Sequence, residues 1–220
     1  MNIGRISATA ILSLTVASCG VANNLTSDAY SEIKSFSISN EIKGGHVTRV
    51  YGAGENAAFA LGGVIGVVAS TDSQISKADM LQKLLEKNNI DIRKKYYNRF
   101  HNHIKNHSLV NGKLTSGKGQ AEFKLEIYSF GLYASGPFTS KMEPDVGIRA
   151  TLFAADGKKV WTNFAYVSAL NFKGHEYTLE EYVKDPAKLD RAYDAALEKA
   201  VTSLVSKLKL AMLNHSIRPA

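Results

Sequence analysis

Thiols are all but missing from this chain: Cys19 is the only cysteine in 220 residues. That excludes a disulfide framework, and it excludes thiolate chemistry anywhere in the body of the chain. A hydrophobic core must hold the fold instead. Specific catalytic signatures are lacking too. No segment matches a nucleophile elbow, a phosphate-cradling glycine loop, a zinc-protease helix or a dinucleotide fingerprint, which removes every motif-based argument for an enzyme. Membrane-length apolar runs are also absent. The apolar stretches at 6–16 and 57–69 both fall short of the ~20 residues a spanning helix needs. Acids, finally, vanish between Asp91 and Glu122.

The position of Cys19 is what gives it meaning. Arg5 supplies a positive start, residues 6–16 an apolar stretch, and Val16, Ala17 and Ser18 lead into Cys19 and Gly20. Charge, short apolar stretch and small residues in this order are the layout of a secretory signal. The segment resembles the lipobox of bacterial lipoproteins, with valine where leucine is more usual. That resemblance implies a signal peptide over 1–18, acylation of Cys19 and cleavage before it. No cofactor is expected beyond this covalent lipid. Gly20 after the cysteine, in place of aspartate, resembles lipoproteins sent on to the outer membrane, with the inner membrane as the alternative.

Cleavage leaves 26 basic against 20 acidic residues, since Arg5 departs with the signal. The excess is local. The acid-free interval holds Arg93, Lys94, Lys95, Arg99, Lys105, Lys113 and Lys118, with His101, His103 and His107 besides. His103 and His107 stand four apart, a spacing that can share a metal ion on a helix. Lysines around them repel a cation, so these read as polar residues of a basic helix, and no metal site is expected. Arg93, Lys94, Lys95, Arg99 and Lys105 are instead candidates for a face that docks an anionic partner, against the plainer reading of a solvated surface. Nucleic acid is not an expected partner for an exported, lipidated chain. Another envelope protein or an anionic envelope component is, in an oligomeric state the sequence leaves open.

Residues 20–31 form a pattern-poor leash, reaching at most ~40 Å when stretched. Stretches 32–40 and 46–51 read as strands, with Gly44 and Gly45 as the turn between them. Residues 57–69 are apolar and glycine-rich. As a helix, the 16 uncharged residues between Glu55 and Asp72 measure about 24 Å, short of a ~30 Å hydrocarbon core. Gly62 and Gly66 have the four-residue spacing that lets helices approach closely. A packed segment is one reading of this insertion, and a membrane or oligomer contact is the other.

Ser76 with Asp79 reads as a helix start, followed by the stripe Met80, Leu81, Leu84 and Leu85 and a stop at Asn88. Asp91 opens a second helix whose buried face is Ile92, Tyr96, Phe100 and Ile104. Phe123, Leu125 and Ile127 alternate with Glu122, Lys124 and Glu126, as in a strand with one buried face. Strands at 146–154 and 159–167 flank Asp156 and Gly157, a tight hairpin signal. Thr178 with Glu181 is a capping box. Asp185 and Pro186 start a last helix with the stripe Leu189, Tyr193, Leu197, Ala200, Leu204, Leu208 and Ala211. The aromatics Tyr128, Phe130, Tyr133, Phe138, Trp161, Phe164 and Tyr166 read mainly as core, with Trp161 a possible partner anchor at a sheet end.

The expected fold is a single α+β domain over 32–213: a mainly antiparallel sheet, helices packed on it, a long C-terminal helix and a tail at 214–220. The strand 123–128, the run 144–152, the segment 156–161 and the alanine-rich last helix resemble the domains of the curli-secretion lipoprotein and of lipoprotein activators of peptidoglycan synthases. This resemblance spans roughly residues 76–211 as a pattern. It implies a non-enzymatic adaptor or assembly role and carries over no catalytic residue. The alternatives are an export or pore-associated component using 57–69, and a hydrolase or metal-binding enzyme with an unfamiliar site.

Overall fold

The computed structural model describes residues 33–52 and 76–216, apart from 109, 111 and 137. Its order is β1 (Phe36–Gly44), β2 (Arg49–Tyr51), α1 (Lys77–Lys87), α2 (Ile92–Lys105), β3 (Ala121–Ala134), β4 (Lys141–Ala154), β5 (Lys159–Val167), β6 (Tyr177–Thr178), α3 (Leu179–Lys184) and α4 (Pro186–Ser216). These build the expected α+β arrangement. Cys19, the leash, and the 57–69 insertion with Gly62 and Gly66 lie outside the described residues.

The sheet grows from β3 and β4, two 14-residue strands in antiparallel register from Ala121↔Ala154 to Ala134↔Met142. β4 begins at Lys141, five residues before the sequence pattern announces it, because its first part is buried on both faces and alternation is lost. β5 pairs antiparallel with β4 through the Asp156–Gly157 turn, where Gly157 has φ 81°. On the far side, β1 and β2 both run parallel to β3, one after the other along the same edge. This corrects the turn expected between them. Gly44 and Gly45 take φ 75° and 83°, but they jog the chain sideways and do not reverse it. A Cβ on Gly44 would stand 1.9 Å from the Ile127 carbonyl oxygen, so the strand can run this close only without one.

Helix ends follow the local chemistry. Ser76 and Asp79 close a reciprocal capping box on α1, and Thr178 and Glu181 do the same for α3. Asp91 caps α2 by accepting from the Lys94 amide. Asp185 accepts from the Ala187 amide at the start of α4, where Pro186 has no amide to satisfy. α4 spans 31 residues, about 46 Å, and runs three residues past the expected end of the domain.

The core lies between α2 and α4 on one side and a single face of the sheet on the other. Phe100 meets Phe123 edge-on at 5.4 Å, Phe123 meets Trp161 at 6.4 Å, and Phe130 lies 4.7 Å from Tyr193. Each such ring contributes roughly 2–3 kcal/mol through burial. Trp161 is 1% exposed, so it anchors this core and presents nothing outward.

Candidate functional site

The second face of the sheet has a different composition. Registers place Glu126, Ser129, Gly131 and Tyr133 of β3 opposite Arg149, Gly147, Asp145 and Glu143 of β4, with Phe164 and Tyr166 of β5 beyond them. All of these belong to the parity opposite the core. The aromatic cluster expected to be core is therefore divided by strand alternation: Phe130 and Trp161 point inward, while Tyr128, Phe164 and Tyr166 are 37%, 48% and 37% exposed. Phe138 lies fully exposed in the β3–β4 loop.

At the centre stands Asp145, with no exposed surface. Arg49 of β2 donates to it through Nε at 2.8 Å, Ser129 Oγ donates at 2.9 Å, and the Tyr166 hydroxyl donates to its other oxygen. Arg49 Nη2 also donates to Ser129 Oγ at 3.0 Å and to the Tyr166 hydroxyl at 2.8 Å. A carboxylate saturated in this way is held in one geometry. The same contacts hold the Arg49 guanidinium above its usual pKa through the Asp145 hydrogen bond, and burial together with Asp145 pushes the Tyr166 hydroxyl up to about 12. Arg49 and Tyr166 therefore both keep their protons across the physiological range.

Tyr128 is the extra residue of a bulge between Ile127 and Ser129. Its ring lies across Gly147, where a Cβ would come within 2.7 Å of the ring, and Arg149 sits 5.4 Å from its centroid. Arg149 is tied in turn to Glu126 at 3.1 Å. Next to Arg49, Tyr51 stacks on Tyr133 at 5.0 Å. β2 itself approaches so closely that a Cβ on Gly131 would fall 1.8 Å from the Arg49 carbonyl oxygen. Exposed rings thus surround a rigid knot of paired charges.

Glu143, two residues before Asp145, is equally buried but has no hydrogen-bond partner on either oxygen. Burial, and then Glu176, push its carboxyl up to about 7, while Lys173, the Gly174 backbone and Lys199 pull less strongly downward.

The basic helix divides into two. Lys95 reaches Asp190 at 2.9 Å and Asp194 at 3.2 Å; Arg99 pairs with Asp194 and Glu198, and His103 meets Glu198 at 2.8 Å. These groups form a ladder between α2 and α4. Burial pulls the Lys95 ammonium down, but Asp190 and Asp194 more than restore it. Burial pushes the Glu198 carboxyl up, and His103 and Arg99 bring it below the ordinary range. Lys94 and Lys105 are exposed, and Arg93 folds back to donate to the Gly44 carbonyl at 2.6 Å. Of the five residues read as an anionic-partner face, Lys95 and Arg99 thus pair with acids of α4, Arg93 bonds a backbone carbonyl, and Lys94 and Lys105 face solvent. Among the described residues, no group of three or more metal-capable side chains converges, and no helix is long and apolar enough to cross a membrane.

The sequence reading missed Arg49, Ser129, Glu143 and Asp145. Glu143 and Asp145 carried a faint signal as acids at alternate positions around Pro144, in a stretch where β-strand alternation places them on one face.

No protein-family model and no curated protein matches the chain. Among solved structures, a DUF330-family protein from Xanthomonas campestris is similar, with 14% identity and a TM-score of 0.42 over 58% of this chain and 67% of that one. A lipoprotein from Neisseria meningitidis is similar at 14% identity and a TM-score of 0.24, over 70% of this chain and 96% of that one. Likeness at this distance transfers no residue role.

Proposed function

We propose that this protein is an envelope lipoprotein, anchored through acyl chains on Cys19 at the periplasmic side of the outer membrane. There it acts as a non-enzymatic adaptor that docks a second envelope protein on the open face of its sheet. The carrying observation is that face: exposed rings of Tyr51, Tyr128, Phe164 and Tyr166 around the Arg49–Asp145 pair. Aromatic side chains with fixed polar neighbours are the usual energetic centre of protein interfaces.

Charge selects the kind of partner. On this face Arg49 is neutralised by Asp145 and Arg149 by Glu126, so the surface carries little net charge to attract a polyanion. A protein of mixed surface suits it better than an anionic polymer. The saturation of Asp145 favours a structural role over an acid–base one, because none of its contacts is left for a substrate.

A photo-crosslinking residue at Phe164, in the full lipid-bearing chain in its native envelope, tests the reading. A discrete protein adduct is expected, weakened tenfold or more by Tyr51→Ala with Tyr128→Ala. Adducts forming from positions 94 and 105 but not from 164 would overturn the docking face. Separately, Cys19→Ser is expected to move the chain from the membrane to the soluble fraction, and an unchanged membrane fraction would overturn the anchor.

A further inference from the structure

The β5 side of the sheet contains a break with a buried acid beneath it. β5 leaves β4 at Val167↔Val146, and β6 rejoins it at Tyr177↔Met142. Residues 143–145 of β4 therefore have no strand beside them on this side. Pro144 tolerates the gap because it has no amide to pair. The chain at 168–176 stands away from the sheet here and is closed by a few contacts. The Asn171 and Phe172 amides donate to the Ser168 carbonyl at 3.0 and 2.9 Å, and Asn171 Nδ2 donates to the Tyr166 carbonyl at 2.9 Å. Phe172 is buried under Lys199, whose ammonium also donates to the Asn171 carbonyl, and the Tyr182 hydroxyl donates to the His175 carbonyl at 2.7 Å.

Under this loop lies Glu143, fully covered, with no well-formed hydrogen bond on either oxygen and, of the backbone, only the Gly174 amide near enough to pull its carboxyl weakly down. Such a site accepts a neutral carboxyl at modest cost but is strongly unfavourable for a carboxylate. The groups around it do not change that sign. Glu176 on the loop repels a second negative charge. Lys173 on the loop and Lys199 on α4 attract one from beyond hydrogen-bond reach, and Lys199 is engaged with Asn171. Tyr182 of α3 has its hydroxyl committed to the Met142 and His175 carbonyls. Asp145, the next acid along the strand, is already matched by Arg49. Ionised Glu143 is relieved only when water or a cation reaches it, which requires the loop to lift.

We propose that loop 168–176 is a proton-controlled latch on the sheet edge, closed over Glu143 while that carboxyl holds its proton and released when it ionises. Opening changes the border of the open face, because the loop begins two residues after Tyr166 and carries Leu170, 91% exposed, at its outer side. This inference does not depend on the docking role proposed above.

The sign follows from linkage. A carboxyl near 7 when covered and near 4.5 when open favours the closed loop below pH 4.5, and that preference is lost as pH rises through 7. Between pH 6 and pH 8 the opening equilibrium should grow about tenfold. Hydrogen exchange of the loop amides in the full chain, corrected for the intrinsic rate, reads this directly. The native chain is expected to lose about tenfold in protection over that interval, and Glu143→Gln is expected to be flat. Because an ordinary imidazole also changes charge in this window, His175→Asn serves as a control and should keep the native response. Identical slopes for the native chain and Glu143→Gln would overturn the latch, as would a flat His175→Asn. Should Glu143→Gln fail to fold, a carbon-13 titration of Glu143 in the native chain decides: a midpoint near 7 supports the latch, and one in the ordinary carboxylate range rejects it.

Discussion

Asp145 and Glu143 stand two residues apart on one strand and face the same side, and both are completely buried. Their surroundings differ in everything else. Asp145 meets a guanidinium from β2 and hydroxyls from β3 and β5. Beside the break between β5 and β6, Glu143 meets no matching cation within hydrogen-bond reach, and a like charge is nearest in effect after burial itself. Burial therefore does not decide what a buried acid does; partners do. One acid fixes the sheet, and the other makes its edge sensitive to protons.

The sharpest way to break this contrast is to strip Asp145 of its cation. Arg49→Ala should cost about 3 kcal/mol, at the low end for a broken buried pair because the arginine side is 45% exposed to water. Urea unfolding measures the loss, and a loss under 1 kcal/mol would mean that Asp145 does not depend on its partner. The converse change should help. At pH 8, Glu143→Gln should gain about 2 kcal/mol relative to the native chain, and the gain should fade as pH falls and disappear only below pH 4.5, where native Glu143 becomes neutral in both states. Parallel stability curves from pH 4.5 to 8 would contradict this.

Smaller effects sharpen the same comparison. Tyr166→Phe removes one donor to Asp145 and leaves two, so a loss of about 1.5 kcal/mol is expected in urea unfolding at neutral pH. The smallest effect belongs to the half-buried ladder between the helices. Glu198→Gln should cost under ~1 kcal/mol, with that small contribution lost as pH falls through the lowered carboxyl value, and it should shrink in high salt. A cost that is unaffected by salt would show that Glu198 acts through packing instead.

How much of this was legible beforehand depended on whether the signal was local. The stripe Ile92, Tyr96, Phe100 and Ile104, the capping pairs Ser76–Asp79 and Thr178–Glu181, and the Asp156–Gly157 turn all appear where spacing placed them. Each depends on atoms within a few residues. The Gly44–Gly45 step was misread because the same two glycines serve a reversal or a jog, and only the distant partner β3 selects between them. Lys95 and Arg99 resembled a free basic surface because their acids come 95 or more residues later, on α4. Phe130 and Leu132 escaped the simple alternation of β3 because the bulge at Tyr128 resets the parity beyond it.

Local spacing by itself determined the helices, the central hairpin, the long last helix and the absence of cysteine chemistry from the body of the domain, since periodicity and capping act over one or two turns. Tertiary structure alone decided which strand lies beside which, which rings face outward, and which of two neighbouring acids finds a cation. The physical reason is range: a residue's electrostatic partners come from elements that are adjacent only after the sheet has assembled, and no spacing along the chain records that adjacency.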